Sequence, residues 1–223
     1  MPRQYRSFYF LVMISFLSGC GTRITDWAKD MVNQGTTLPD WVVSVRPFVK
    51  SVSLYDQFDT VAMFDALWLA DPVKIVYSEV YARKHGKSNE QYDVFVRRQL
   101  AENEHYILFY VLSLYDISLR EKESSWSMFL EIDDQRFTPV EIKTIEIAPE
   151  YKAMFGDCFT RFKVPYQVKF TARDIESMSH ITSETKMISL VFRSVDKEVR
   201  LTWNLDELLR DSKQEVNEED CGC

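Results

Sequence analysis

Hydrophobic and polar positions alternate along this chain in several distinct periods. Residues 8–17 are apolar except for Ser15, a block too short to span the ~30 Å hydrocarbon core of a bilayer. Ile24, Trp27, Ala28, Met31 and Val32 then fall on one helical stripe, and 34–39 reads as a linker. Residues 48–55 and 60–69 read as strands around a turn near Asp56-Gln57. Val61, Phe64, Trp68 and Leu69 would also stripe a helix, but Asp71-Pro72 makes a clean boundary if 60–69 is a strand, with Asp71 capping and Pro72 in the first turn. Val73, Val76, Tyr77, Val80 and Tyr81 stripe the helix that follows, and Gly86 is suited to stop it. Ser88 and Gln91 form a capping box opening a second helix, striped by Tyr92, Phe95, Val96, Gln99 and Leu100. So close a pair predicts a helical hairpin, about 72–103, laid on a sheet.

From Tyr106 the period is two. Residues 106–115 are apolar on both faces, as in a central strand. Trp126, Met128, Leu130 and Ile132 alternate with polar residues, and Asp133-Asp134 predicts a hairpin turn into a return strand over 136–147, bulged where its parity shifts between Ile142 and Ile145. Residues 148–155 read as a loop or one helical turn. Phe162, Val164, Tyr166, Val168 and Phe170 alternate with Arg161, Lys163, Gln167 and Lys169, which predicts a strand with one wet, basic face. Residues 188–195 and 199–205 face each other across Asp196-Lys197. Seven or eight such strands predict an α+β, mainly β fold: an antiparallel β-sandwich with an inserted or packed helical pair.

The first twenty residues carry a further signal. Arg3 and Arg6 precede the apolar run, and Leu17-Ser18-Gly19-Cys20 closes it. This resembles the signal peptide and lipobox of bacterial lipoproteins. The resemblance implies removal of residues 1–19, lipidation of Cys20, and durable attachment through two or three acyl chains at ~0.8 kcal/mol per buried methylene. Gly21, where some lipoproteins carry a retaining Asp, implies the periplasmic face of the outer membrane if the host is Gram-negative. Two readings of 24–33 stay open, a helix packed on the domain or one lying beside the membrane.

Cleavage leaves 204 residues, divided as an anchor and linker (20–45), a sandwich domain (46–210) and an acidic, cysteine-bearing tail (211–223). The sandwich, over about 106–205, resembles immunoglobulin-like extracytoplasmic domains of bacterial lipoproteins in its order of elements: Arg136-Phe137-Thr138-Pro139, an Ala148-Pro149 corner, Phe162-Lys163-Val164-Pro165 and a closing Leu190-Val191-Phe192 strand. That resemblance implies a fold and no shared catalytic residues.

Net charge is −7, and loss of Arg3 and Arg6 takes it to −9, so nucleic acid is not an expected partner. There is no G-x-S-x-G, no H-E-x-x-H, no phosphate loop and no dinucleotide fingerprint. His85, His105 and His180 lack metal-ligand spacing. No cofactor and no enzymatic activity are expected. Asp59, Asp65 and Asp71 recur every six residues, which on a strand would put all three on one face as a carboxylate pair for acid–base work or a calcium site; Asp59 and Asp71 fit turn and cap positions, and Asp65, the candidate buried functional carboxylate, needs a partner, most simply an Arg or a backbone donor. With Cys20 lipidated, Cys158, Cys221 and Cys223 remain. A bridge from Cys158 to one tail cysteine, or soft-metal binding by Cys221-Gly222-Cys223, are both open. The expectation is a lipid-anchored envelope protein with a protein partner; the alternative is a thiol or copper-type protein using the three cysteines.

Overall fold

A computed structural model describes residues 39–56, 59–114, 116–120, 124–174 and 178–208. Among the described residues, nine strands form two antiparallel sheets. The first runs in the order β1 (Val49–Asp56), β2 (Asp59–Trp68), β3 (Tyr106–Leu114), β7 (Lys163–Thr171), β6 (Glu141–Thr144). The second runs β5 (Gln135–Phe137), β4 (Ser127–Ile132), β8 (Met187–Arg193), β9 (Glu198–Asn204). Helices α1 (Asp40–Val45), α2 (Asp71–Lys84), α3 (Asn89–Ala101) and α4 (Pro149–Phe155) accompany them. No described helix is long and apolar enough to cross a membrane. The striped segment 24–33 and the tail 211–223 lie outside the described residues.

The segment that could have striped either way is a strand. In β2, Ala62, Phe64 and Ala66 point between the sheets, while Asp65 and Leu67 point to the opposite face. β3 is central, as its two apolar faces predict: Ile107, Phe109 and Val111 enter the core between the sheets, and Leu108 and Leu112 enter a second cluster on the outer face of the first sheet. Aromatic rings lock the inner core. Phe64 stacks on Phe192 at 4.0 Å and takes the edge of Trp126 at 5.2 Å. Buried Trp203 satisfies its indole by donating to the Phe48 carbonyl at 2.9 Å. The outer cluster gathers Phe48, Val73, Ile147, Tyr151, Met154 and Phe155, so α2 and α4 cover that face.

Local signals explain most boundaries. α2 begins one residue early, with Ala70 at the cap and Asp71 inside the first turn. The Asp71 carboxylate is therefore not a cap; it accepts from Asn103 at 2.7 Å. The most buried positions of α2 are Val73, Lys74, Ser78 and Ala82, rotated from the expected stripe; Tyr81 stacks on Phe95 of α3 at 4.8 Å and Tyr77 on Tyr151 of α4 at 4.2 Å. α2 ends where Gly86 takes φ +59°, with Lys87 N–H donating to Ala82 O and Gly86 N–H to Arg83 O. The Ser88/Gln91 box is formed, both bonds at 3.3 Å. Asp133 and Asp134 take φ 43° and 72°, the paired positive values of a two-residue hairpin.

Three expectations are corrected. The return strand over 136–147 is two strands on different sheets: the chain leaves β5 at Thr138-Pro139 and joins the first sheet as β6, so the parity shift is no bulge within one ladder. Residues 40–45, in the stretch read as linker, form α1, which buries Val42 and Val45. The basic face of β7 is not wet. Lys163 has a side chain only 6 % exposed and Lys169 one 20 % exposed.

Candidate functional site

Asp65 and Cys158, singled out separately in the sequence, come together on the outer face of the first sheet. Cross-strand register sets Ser51 of β1 opposite Asp65, and Asp65 opposite Leu112 of β3, which in turn faces Pro165 of β7. Two residues before that proline, Lys163 reaches back across the sheet. Its Nζ donates to Asp65 Oδ2 at 2.5 Å and to the Cys158 carbonyl at 3.0 Å. Asp65 thus has the partner its burial demands, a lysine where an Arg or a backbone donor was expected. Cys158 closes the single 3₁₀ turn Gly156–Cys158 that follows α4. Its Sγ lies 3.3 Å from Ser51 Oγ, and the residue is half-buried and not in a disulfide.

The chemistry of this cluster follows from what each group has already spent. The Lys163 ammonium gives two hydrogens to oxygens of the protein, which makes it a clamp joining β2, β7 and the turn that carries Cys158. The Cys158 thiol lies beside the Ser51 hydroxyl of the edge strand β1. Cys20, Cys221 and Cys223 lie outside the described residues.

A second ionic cluster ties the helices to the same sheet face. Lys74, 1 % exposed, donates to the Gln99 carbonyl at 2.9 Å and to Glu102 at 3.3 Å. The other Glu102 oxygen accepts from Lys169 at 3.0 Å, and Lys169 also lies 3.6 Å from Glu141 and over the Tyr106 ring. Burial pulls Lys74 below its usual value, with Glu102 only partly opposing this. Burial pushes Glu102 up, yet the bond from Lys169 and the charges of both lysines outweigh it and hold Glu102 below the usual carboxylate range. Nearby, burial pushes Tyr110 up to about 12.

The other candidates separate. Asp71 starts α2, so the recurrent aspartates do not form one carboxylate set. Asp133-Asp134 is a turn. His85 ends α2 against Tyr81, His105 precedes β3, and His180 packs on Phe137. Arg161 lies over the Phe162 ring at 4.8 Å. Among the described residues, no three His, Cys, Asp or Glu side chains cluster as a metal site. The reading of the sequence placed Lys163 on a solvated strand face and missed Lys74, Glu102 and Ser51. Only Lys74, a cation inside the apolar start of α2, carried a signal. Compared with known proteins, the chain matches no family model, no curated protein and no solved structure.

Proposed function

We propose that the chain is a lipid-anchored extracytoplasmic protein whose immunoglobulin-like sandwich, elaborated by a helical hairpin, serves protein contact or assembly in the cell envelope rather than catalysis. The observation that carries this reading is Leu17-Ser18-Gly19-Cys20 closing a ten-residue apolar run behind Arg3 and Arg6. Strand order supports the immunoglobulin-like part. Taking β2 as strand A, the order β2-β3-β7-β6 corresponds to A-B-E-D and β5-β4-β8-β9 to C′-C-F-G, antiparallel throughout. β1 is then an extra edge strand, and α2 and α3 occupy the A–B connection. Neither β3 nor β8 holds a cysteine, so the bridge typical of antibody domains has no counterpart. The non-catalytic part is supported by how the ionic groups are spent: Asp65 on Lys163, Glu102 on two lysines, Glu131 on Arg136 and Arg200.

The test begins with metabolic labelling by an alkyne fatty acid and mass analysis of the amino-terminal peptide. A chain starting at an acylated Cys20, and loss of label in Cys20→Ser, is the expected result; Met1 retained without acyl mass overturns the anchor. Crosslinking and pull-down from the native envelope then test for a stable protein partner.

A thiol function is the second reading, favoured by the half-buried Cys158 Sγ beside Ser51. It predicts that Cys221→Ser with Cys223→Ser abolishes the phenotype, which a contact module would keep.

A further inference from the structure

The outer face of the second sheet carries charge where that of the first carries helices. Cross-strand register sets Phe129 of β4 beside Val191 of β8, and Val191 beside Arg200 of β9; Glu131 of β4 faces Arg136 of β5. Leu130, Leu190 and Leu201, of the opposite parity, enter the core between the sheets, so these side chains point outward. Val191 is 0 % exposed yet belongs to neither apolar cluster. Arg200 lies across its strand, reaching from β9 over β8 to donate through Nη1 to Glu131 Oε1 on β4 at 2.9 Å. The alkyl stem of such a side chain shields the apolar surface beneath it. That bond is one rung of a ladder. Arg136 Nε donates to Glu131 Oε2 at 3.2 Å. Arg200 also donates through Nε and Nη2 to Glu198 Oε1, at 3.0 Å and 2.8 Å. Arg193 donates to Glu198 Oε2 through Nε at 2.7 Å, and through Nη2.

Every carboxylate oxygen of Glu131 and Glu198 thus already accepts from an arginine, while a guanidinium has more N–H donors than these bonds use. Exposure sorts the groups the same way. The side chains of Glu131 and Glu198 are 15 % and 27 % exposed, those of Arg136, Arg193 and Arg200 44 %, 42 % and 43 %. What the face offers a neighbour is therefore donors, fixed in a row by the carboxylates beneath them. We propose that this face docks a carboxylate-rich segment of a protein partner. Guanidinium forks match carboxylates in bidentate geometry, and forks already held in place lose little freedom on binding. Three arginines against two glutamates leave one positive charge here, on a chain of net charge −7, so this is a place where an acidic segment can be received. A membrane of anionic headgroups is a poorer occupant, because it would meet the negative field of the whole chain. The inference deepens the protein-contact reading and rests on it, but it needs no lipid anchor.

The full chain, purified in detergent, is titrated at physiological ionic strength against a fluorescent octapeptide of alternating Glu and Ser, read by anisotropy, with the same peptide carrying Gln for Glu as control. Saturable binding of the Glu peptide, with the Gln peptide weaker by about tenfold or more, is the expected result. Arg200→Gln should weaken binding about tenfold. Lys143→Gln, an equal loss of charge on β6 of the first sheet, should leave it unchanged, and circular dichroism should show both variants folded. Arg136→Gln, at the end of the ladder, gives an independent reading should Arg200→Gln unfold. No saturable binding, equal binding of the Gln peptide, or an equal loss in Lys143→Gln overturns the proposal. So does displacement of the peptide by soluble dihexanoyl-phosphatidylglycerol at lower concentration than the peptide itself requires, which assigns the face to lipid. Self-association abolished by Arg200→Gln assigns it to a second copy, and peptide binding seen only once residues 211–223 are removed assigns it to the chain's own tail; either overturns the proposal. An envelope partner crosslinked equally well by Arg200→Gln overturns this face and leaves the contact reading standing.

Discussion

At the scale of single residues, the buried ions decide most. Asp65 and Lys163 are 3 % and 6 % exposed, and each is the counter-charge of the other. Removing one partner leaves an uncompensated charge in the sheet face, a loss of typically 3–5 kcal/mol. Asp65→Asn should therefore lower the urea midpoint by an amount corresponding to several kcal/mol, with the slope unchanged. Replacing both, as Asp65→Leu with Lys163→Met, should recover most of that loss, because apolar residues of similar volume remove the desolvation penalty as well as the attraction. If Asp65→Asn costs nothing, the pair is not a clamp. Asp65 was legible in the sequence because an acid among apolar neighbours contradicts its surroundings. Lys163 was not. It sits in a strand whose other face alternates cleanly apolar, and such a pattern reads as one dry and one wet side. What dries the second side is α2 and α4, which arrive from distant parts of the chain.

At the scale of elements, the signals that were read correctly are those contained within a few residues. The capping box, the stop at Gly86, the hairpin turn at Asp133-Asp134 and the two-sided strand β3 each depend on neighbours in sequence. Those misread depend on a partner elsewhere. α1 is held by its contacts with α2 and α4, and β5 and β6 are separated by which sheet each can join. Two predictions follow from the local devices. α3 has no fully buried residue, so its ends carry more of its stability than is usual. Ser88→Ala should cost about 1 kcal/mol, read as a lower melting temperature with faster amide exchange in the first turn of α3. At Gly86 a new Cβ would meet nothing within 4 Å, so Gly86→Ala isolates the backbone term. The left-handed conformation should cost about 1 kcal/mol, and Gly86→Asn should cost less. Equal stability of the alanine variant would mean that α2 ends by some other means.

For the whole of the described domain, the two faces of the first sheet do different work. The inner face builds an aromatic core against the second sheet, and the outer face supports helices through a mixture of apolar contacts and charge. The joint is Glu102, shared by Lys74 of α2 and Lys169 of β7. Its behaviour with pH has a definite sign. Glu102 is held below its unfolded value, so its contribution is complete above about 4.5 and is lost as pH falls through the folded value. Lys74 is also lowered, chiefly by burial, so the cost of keeping it charged is present below its folded value. That cost is relieved as pH rises from there toward 10.5, where the unfolded chain also releases its proton. Both groups therefore make stability climb with pH, in separate windows. Chemical denaturation across the pH range should show Glu102→Gln flattening the acid limb and altering the alkaline one, because Glu102 also raises Lys74 and Lys169. Lys169 and Tyr110 are held above their usual values and make stability fall at alkaline pH, so Lys74→Met should deepen that fall; it should stay within about 1 kcal/mol of the parent at neutral pH, since an apolar side chain there escapes the desolvation penalty. An acid limb unchanged in Glu102→Gln would mean that the helices are fastened to the sheet by the apolar cluster alone, with the shared carboxylate an incidental surface contact.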